Sequence, residues 1–389
     1  MNLPPYKTAL RSRRINPFRV MDVLRRAREL EAAGIDIVHM EVGEPDFTTA
    51  LPVVEAGRKA LTAGHTYYSA AAGIPALREA ISEFYAERYR VEVSPDRIFV
   101  TPGASGGLYL LANLLIDPGD GVLLADPSYP CNRNFINLMG AEPQLVPVSA
   151  ASQFQPETSM LDQHVKPNTT GLWLASPSNP TGTIIDRSAL STLTAWARSH
   201  RCHVLADEIY HGLHYVEDIP SLVQIESDGF VVNSFSKYFG MTGWRVGWIV
   251  VPQAVVGQVE LLCQNLFIAA STIAQHAALA AFEPATIEIL EQRRNEFKRR
   301  RDFLSSALQQ IGLILPAVTD GAFYLYADIS RFSDNSEAFC ADLLEQHGVA
   351  MTAGTDFGEF NAHKFVRIAF TTSMERLETG VERLARALK

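Results

Sequence analysis

Short hydrophobic runs recur along the first two thirds of the chain, separated by stretches whose apolar residues follow helical spacing. Runs of this length predict buried strands, and the stretches between them predict crossover helices. Strands that alternate with helices in this way predict an α/β fold with a mostly parallel sheet sandwiched by helices. The runs are RIFV near Ile98, GVLLA near Leu123, GLWLA near Trp173, HVLA near Val204, FVVNS near Val231 and GWIVV near Ile249.

The pattern changes in the last third of the chain. Apolar residues from Ile287 to Ile311 keep helical spacing and predict one long helix. The segments AFYLYADI (322–329) and KFVRIAF (364–370) predict strands, and MERLETGVERLARAL predicts a final helix. We therefore predict a large domain and a smaller α+β domain built from both ends of the chain, with boundaries at 1–47, 48–283 and 284–389.

Two segments need separate interpretation. The run KRRR at Lys298 to Arg301 lies within the long helix, and a solvated helix face is its simplest interpretation. The stretch from Leu261 to Phe282 carries no charge, but polar side chains interrupt it. It predicts a helix buried in the core or at a subunit contact, not a membrane span.

Composition narrows the function classes. A chain of 389 residues with a formal net charge of -9 argues against nucleic acid as the main partner, because phosphate binding requires a basic face. The basic N-terminal residues are interrupted by Pro4, Pro5 and Pro17, which argues against the amphipathic helix of a transit peptide. With four widely spaced cysteines, these features predict a cytoplasmic protein that acts on small molecules.

Polar residues follow five of the predicted strands. Glycines follow the first strand, Asp126 and Tyr129 follow the second, and Asn179 follows the third. Asp207 follows the fourth strand and Lys237 the fifth. In an open α/β sheet the ligand crevice lies outside the carboxyl ends of the strands, so these groups are predicted to meet in one site. Lys237 must reach water, pair with an acid, or perform chemistry that needs an amine.

Each of these features also has a simpler explanation. TPGASGGL suits a phosphate at a helix start, but glycine-rich turns are common. Asp207 is also compatible with a structural ion pair, although this is the less favoured interpretation. Arg367 within FVRIAF needs either an internal acid or a ligand carboxylate. Two further alternatives are weaker. The sequence SFSK, ending at Lys237, lacks the K-T-G and S-D-N partners of the penicillin-binding enzymes. His211 and His214 could share a helical turn, but they lack further metal ligands, so no metal is expected.

Seven motifs occur in order between about Gly43 and Phe370. They are GEPDF at Gly43, TPGASGGL at Thr101, DPSYP at Asp126, SNPTG at Ser178, ADEIY at Ala206, SFSKYFGMTGWRVGW at Ser234 and RIAF at Arg367. Together they resemble the class I/II pyridoxal-phosphate aminotransferases of fold type I. The resemblance implies that Lys237 forms a Schiff base with the cofactor and then moves the proton at the substrate Cα.

The same resemblance implies roles for other residues. Asp207 would pair with the pyridinium nitrogen, Asn179 and Tyr210 would contact the phenolic oxygen, and Tyr129 would stack on the ring. The substrate α-carboxylate would bind Arg367 with help from Gly43 and Asn179. The remaining residues would hold the phosphate: Gly103, Ala104, Ser105, Ser234, Ser236, Arg245 and, from the neighbouring subunit, Tyr68.

The expected enzyme is therefore a homodimeric aminotransferase with shared active sites, acting on an L-amino acid and a 2-oxo acid without nucleic acid or membrane partners. A carbon–sulfur β-lyase is the alternative, because fold and cofactor are shared. A regulator that senses pyridoxal phosphate is an alternative of a different class. It would need a DNA-binding domain ahead of GEPDF, and the roughly 40 residues there are too few for a domain of typical size. A neutral or aromatic donor is expected, because Ser105 stands where some aspartate-preferring relatives carry a lysine. Arg13, Arg14 or Arg19 could reverse that preference by folding over the site.

Overall fold

The computed structural model describes residues 7–389 and builds them from helices and strands in an alternating order. Pro4 and Pro5, which entered the argument against a transit peptide, lie outside the described residues. The helices are α1 Arg19–Ala32, α2 Leu51–Thr62, α3 Pro75–Tyr89, α4 Gly103–Leu115, α5 Pro130–Leu138, α6 Thr158–His164, α7 Arg187–Ser199, α8 Val256–Leu266, α9 Thr272–Leu279, α10 Pro284–Gln310, α11 Ser336–His347 and α12 Met374–Ala387. The strands are β1 Val38–His39, β2 Ile98–Thr101, β3 Gly121–Asp126, β4 Glu142–Pro147, β5 Thr169–Ala175, β6 His203–Asp207, β7 Phe230–Ser234, β8 Gly247–Val250, β9 Tyr324–Asp328, β10 Val349–Ala350, β11 Thr352–Ala353 and β12 Phe365–Ala369.

A seven-stranded sheet forms the centre of the molecule, with strand order β2-β8-β7-β6-β5-β3-β4. Strand β8 runs antiparallel to both of its neighbours, and the other pairings are parallel. Successive residues alternate between two hydrophobic clusters: Leu123 and Val231 pack in one, Leu124 and Val232 in the other. Both faces are therefore covered by helices, which explains the continuous apolar runs and confirms the predicted fold class.

A second, smaller set of strands contains residues from both ends of the chain. Strands β11, β12 and β9 form an antiparallel sheet. Strand β1 pairs in parallel with β10, so Val38 lies opposite Val349. This pairing joins an N-terminal segment to the last part of the chain, while the domain boundaries given above stay a prediction.

The uncharged segment from Leu261 to Phe282 is not one helix, so that prediction was wrong. Helix α8 ends at Leu266 and α9 begins at Thr272. Between them Ile268 has a φ of 65°, a left-handed conformation that a helix cannot contain. The Ser271 side chain then accepts a hydrogen bond from the backbone N–H of Ala274, which caps the new helix.

The interpretation of KRRR as a solvated face was wrong for half of the run. Lys298 and Arg299 are exposed, but Arg300 is only 4% exposed and donates to Asp46 over 2.8 Å. The Arg301 guanidinium lies over the Tyr215 ring, 4.6 Å from its centroid. Successive residues point about 100° apart around a helix, so four in a row are spread around its whole circumference. They cannot all face solvent, because Asp46 and Tyr215 pack against this helix.

No helix within residues 7–389 is both long enough and apolar enough to cross a membrane. The cytoplasmic location stays a prediction.

Candidate active site

A cavity of about 380 Å³ opens at the carboxyl ends of the central strands, where β12 and the segment around Val42 also approach. It brings together most of the residues that the sequence singled out. Those that line it are Gly43, Ala104, Ser105, Tyr129, Asn179, Asp207, Tyr210, Ser236, Lys237, Arg245 and Arg367. Gly103, Ser234 and Tyr68 are not among the lining residues.

Asp207 is the last residue of β6, and its side chain is almost fully buried at 6% exposure. One carboxylate oxygen accepts a hydrogen bond from the backbone N–H of Ile209 over 3.1 Å. Burial disfavours the charged form and raises the pKa of Asp207 to about 6, although the hydrogen bond from Ile209 opposes this shift. The carboxylate therefore gains from a cationic partner in the cavity.

Lys237 follows β7, and its Nζ donates to the backbone carbonyl of Gly43 over 2.6 Å. The amine also lies 5.9 Å from the centre of the Tyr210 ring and 5.7 Å from that of Phe323. Burial lowers the pKa of Lys237 to about 8, far below that of a free lysine. A large fraction of this amine is thus neutral near pH 8, as a nucleophile or proton acceptor must be.

The start of α4 forms one end of the cavity. Gly103 has a φ of +70°, and a Cβ there would lie 2.6 Å from a guanidinium nitrogen of Arg245, so the turn requires glycine. Unpaired N–H groups at the helix start, the hydroxyl of Ser236 and Arg245 together make a site for an anion. Ser234 is buried behind this end and donates to the Ser236 Oγ over 2.9 Å.

Arg367 forms the opposite end and is only 2% exposed. One terminal nitrogen donates to the Asn179 side-chain oxygen over 2.9 Å, and the other donates to the Glu41 carbonyl. The guanidinium lies between the rings of Tyr324 and Phe357, at 4.3 and 4.6 Å. Its Nε has no hydrogen-bond partner among the residues that the structure describes. A buried cation without a carboxylate partner of its own suits an anionic ligand.

Sequence reasoning missed Tyr324, whose hydroxyl lies 2.9 Å from that of Tyr210. A Cβ on Gly43 would lie 1.8 Å from the same hydroxyl, so the close approach depends on glycine. The alternation of AFYLYADI assigns Tyr324 to one face of a strand but does not identify that face as part of a site.

An apolar wall was missed as well. It consists of Phe18, Val20, Met21, Val42 and Ile209. Apolar residues that line a cavity have the same spacing as core residues, so no signal in the sequence distinguishes them.

Three other predicted features lie outside this cavity. Tyr68 is 81% exposed and does not approach the cavity of its own chain. His211 has its Nδ1 2.7 Å from the Tyr89 hydroxyl, and His214 has its Nε2 3.2 Å from the Arg88 side chain. These histidines belong to a buried hydrogen-bond network, and residues 7–389 contain no group of three side chains arranged to hold a metal.

The cavity fits pyridoxal 5'-phosphate, the cofactor implied by the resemblance. An anion site at the start of α4 suits the phosphate, and the Lys237 amine suits an aldehyde. Asp207, whose charged form is disfavoured by burial, suits a protonated pyridine nitrogen. Glycine at position 103 leaves the space that a side chain would take from Arg245.

Comparison with known proteins agrees with this chemistry. The family model for "Aminotransferase class I and II" matches residues 35–384. The valine–pyruvate aminotransferase of Mycobacterium tuberculosis is 38% identical over 95% of this chain and 96% of its own. The aspartate/prephenate aminotransferase of Thermus thermophilus is 35% identical over 97% and 98%. The crystal structure of an aminotransferase from Mycobacterium tuberculosis superimposes with a TM-score of 0.94 at 37% identity, covering 98% of this chain and 99% of that one.

The comparisons confirm the resemblance and support transamination rather than the β-lyase alternative. The substrates are accordingly an amino acid and a 2-oxo acid. The chain belongs to the class I and II aminotransferases and is a pyridoxal-phosphate-dependent transaminase.

Proposed function

We propose that this aminotransferase exchanges the amino group between L-amino acids with uncharged side chains and the corresponding 2-oxo acids. The observation that carries the proposal is the set of cations around the cavity. In the described part of the chain, the basic side chains that line it are Lys237, Arg245 and Arg367. With Arg245 on the phosphate and Arg367 on the α-carboxylate, none remains for a second carboxylate, and an unpaired charge in such a site costs several kcal/mol.

In the described part of the chain, the N-terminal arginines Arg13, Arg14 and Arg19 do not line this cavity. Arg13 and Arg14 lie in an exposed 3-10 turn, Leu10–Arg14. Arg19 forms an ion pair with Glu337 on the outer side of α1, while Val20 and Met21 face the cavity. The part of the wall formed by Phe18, Val20 and Met21 is therefore apolar, which favours an uncharged side chain.

The proposed catalytic roles are those that the resemblance implies, and the placement of the residues around the cavity supports them. When bound, pyridoxal phosphate supplies an aldehyde that accepts the amino group and a ring that takes up electrons from Cα. Lys237, whose pKa is lowered to about 8, would attach the cofactor and move the proton at Cα in its neutral form. Asp207 would keep the ring nitrogen protonated, and Tyr129 would stack on the ring. Tyr210 and Asn179 would hold the phenolic oxygen.

Contacts to the phosphate would hold the cofactor while the substrate is exchanged. They would come from the backbone at Gly103, Ala104 and Ser105 and from the side chains of Ser236 and Arg245, and Ser234 donates a hydrogen bond to the Ser236 hydroxyl. The substrate α-carboxylate binds Arg367, beside Gly43 and Asn179.

The same cavity receives donor and acceptor in the two half-reactions, so both share one charge requirement. A 2-oxo acid with an uncharged side chain, such as pyruvate, therefore fits better than a dicarboxylate. The two named relatives point in different directions, since one is a valine–pyruvate enzyme and the other an aspartate/prephenate enzyme. The charge of the cavity favours the former.

The test is the donor half-reaction, followed by the absorbance of the cofactor, with valine, phenylalanine and aspartate. We expect valine or phenylalanine to exceed aspartate at least about tenfold in the second-order rate constant, a transition-state difference of about 1.4 kcal/mol. An advantage of that size for aspartate would contradict the proposal. Ammonia release, measured in parallel, detects β-elimination.

Ser105→Lys sharpens this test, because it places a cation on the cavity wall. We expect the rate constant for aspartate to rise about tenfold relative to valine. Ser105→Gln is the matched control, since its side chain is long and polar but uncharged, and it should leave the ratio unchanged.

We further propose a homodimer whose sites use both chains. Exposed apolar side chains occur on α2, on α8 and on the loops that follow them, and Tyr68 lies in the first of these loops, away from its own cavity. They are Leu51 at 68%, Leu61 at 56%, Tyr67 at 84%, Leu261 at 60% and Ile268 at 52% exposure. A surface of this kind favours a second copy as its cover.

Mixing two inactive variants tests the shared site. Tyr68→Ala and Lys237→Ala should restore activity in hybrid dimers, which contain one site with both residues intact. Sedimentation at high dilution provides the independent measurement. Full activity in a monomer would contradict the proposal.

A further inference from the structure

Helix α1 begins without a capping side chain of its own. Phe18, the residue before it, has no side-chain acceptor, and yet the first backbone N–H groups are partly buried. Asp356 supplies the acceptors from a distant part of the chain. Its two carboxylate oxygens accept hydrogen bonds from the backbone N–H groups of Arg19 over 3.0 Å and of Val20 over 3.4 Å. A remote carboxylate thus replaces the usual local cap.

The residues at this capped end form part of the cavity wall. Phe18, Val20 and Met21 line the cavity. The Phe18 ring also packs edge-on against Tyr129, with ring centres 6.0 Å apart. Where α1 begins therefore decides where the apolar wall lies relative to the substrate side chain.

Asp356 is itself firmly placed. It is 4% exposed, and its backbone carbonyl accepts a hydrogen bond from the buried Arg133 side chain over 3.1 Å. It ends a 3-10 turn that directly follows β11, and Thr352 of β11 lies opposite Arg367 of β12. One short segment therefore connects the proposed carboxylate-binding arginine with the start of α1.

We propose that Asp356 is a positioning residue for donor selectivity: by capping α1 it sets the distance between the apolar wall and Arg367, and so the length of apolar side chain that the site accepts. Asp356 does not line the cavity. Asp356 therefore affects the substrate only indirectly, by fixing the positions of Val20 and Met21. This inference rests on the proposed preference for donors with uncharged side chains, and it specifies how long such a side chain can be.

The experiment compares leucine with alanine in the donor half-reaction of the complete enzyme. Asp356→Ala should raise the apparent dissociation constant for leucine about tenfold, while that for alanine and both maximal rates change less than about threefold. Asp356→Asn keeps an acceptor oxygen for Arg19 and should remain within about threefold of the unmodified enzyme. Met21→Ala and Asp356→Ala should not be additive for leucine, because both act on the same wall.

The matched control is Asp186→Ala. Asp186 caps the remote helix α7 by accepting a hydrogen bond from the Ala189 N–H over 2.8 Å. Both alanine variants lose a helix cap, and both should show a lower melting temperature than the unmodified enzyme. Only Asp356→Ala should change the leucine-to-alanine ratio and accelerate hydrogen exchange at the start of α1.

An equal loss for leucine and alanine, or a ratio shift as large in Asp186→Ala, would overturn the proposal. If Asp356→Ala does not fold, Asp356→Ser is judged by the same ratio. The preference for valine or phenylalanine over aspartate is measured separately on the unmodified enzyme. A preference for aspartate would contradict the proposed function, while the hydrogen exchange and the leucine-to-alanine ratio would still decide the role of Asp356.

Discussion

The two ends of the cavity are built in different ways. At the cofactor end, Asp207 is the last residue of β6 and Lys237 follows β7, and these two strands are hydrogen-bonded neighbours in the central sheet. At the substrate end, Arg367 on β12 meets the carbonyl of Glu41, a residue 326 positions earlier in the chain. Pairing between β6 and β7 therefore brings Asp207 and Lys237 together, whereas the Arg367 guanidinium is held by hydrogen bonds to Asn179 and Glu41, which lie far away in the chain.

The two ends also have different proposed roles: the cofactor end carries out the chemistry, and the substrate end recognises the substrate. The cofactor end holds groups whose proton affinities are shifted by burial, since the pKa of Lys237 falls to about 8 and that of Asp207 rises to about 6. The substrate end holds one buried arginine, aromatic rings and an apolar wall. We therefore expect substitutions at the first end to reduce turnover and those at the second to reduce affinity and selectivity.

The largest effect is expected for Lys237→Ala at the cofactor end. Without the amine, covalent attachment and proton movement at Cα are both lost, so transamination should fall at least about 10⁴-fold. The cofactor absorption band that borohydride bleaches in the unmodified enzyme should also disappear. Lys298→Ala, at an exposed lysine, is the control. Transamination close to normal in Lys237→Ala would remove Lys237 from the mechanism.

Asp207→Asn should reduce the maximal rate about 10²- to 10³-fold, because the amide has the size of the carboxylate but cannot keep the ring nitrogen protonated. The donor dissociation constant should change little. Single-turnover kinetics with isotopically labelled Cα separate the proton step from binding. An unchanged proton-transfer rate would contradict this role. Asp228→Asn, at an exposed site, serves as the control.

Arg367→Lys tests the substrate end. The substitution keeps the charge but removes the planar pair of donors, so the second-order rate constant should fall about 10- to 100-fold. Most of the loss should appear in the dissociation constants of both substrates, since the proton groups at the other end are untouched. A loss confined to the maximal rate would show that the two ends are not separable in the way proposed.

The smallest effect is expected at His39, which contacts Glu41, the residue whose backbone carbonyl accepts a hydrogen bond from Arg367. His39 lies beside the buried Glu41, with Nδ1 2.7 Å from Oε1, and hydrogen bonding to Glu41 raises the pKa of His39 to about 9. Because this folded-state pKa exceeds the unfolded value of about 6.5, the stabilisation is complete below pH 6.5 and is lost as pH rises through 9.

His39→Gln should therefore lower the free energy of unfolding by about 1 kcal/mol at pH 6, a value reduced from the full pKa shift because the His39 side chain is 31% exposed. The difference from the unmodified protein should vanish near pH 10. Denaturant unfolding across this range measures it, with His363→Gln at an exposed position as the control. A difference independent of pH would exclude a protonated His39.

The sequence by itself determined six of the seven strands of the central sheet and which residues meet at the cofactor end of the cavity, whereas β4, Glu142–Pro147, was missed because EPQLVP contains no continuous apolar run. Runs such as FVVNS are apolar enough to be buried on both faces, and the polar residue that ends each run must lie at the carboxyl edge of a parallel sheet. Asp207 and Lys237 were predictable because local sequence and strand pairing place them together.

Only the tertiary structure decided which residues form the substrate end of the cavity and where the predictions from sequence were wrong. Tyr324 meets Tyr210 and Asp356 meets the start of α1 through contacts between segments far apart in the chain, which no local pattern encodes. Arg300 was predicted to face water because its neighbours are charged, but the helix turns it toward Asp46. Burial of a polar side chain depends on what packs against its element, and that is a property of the folded chain.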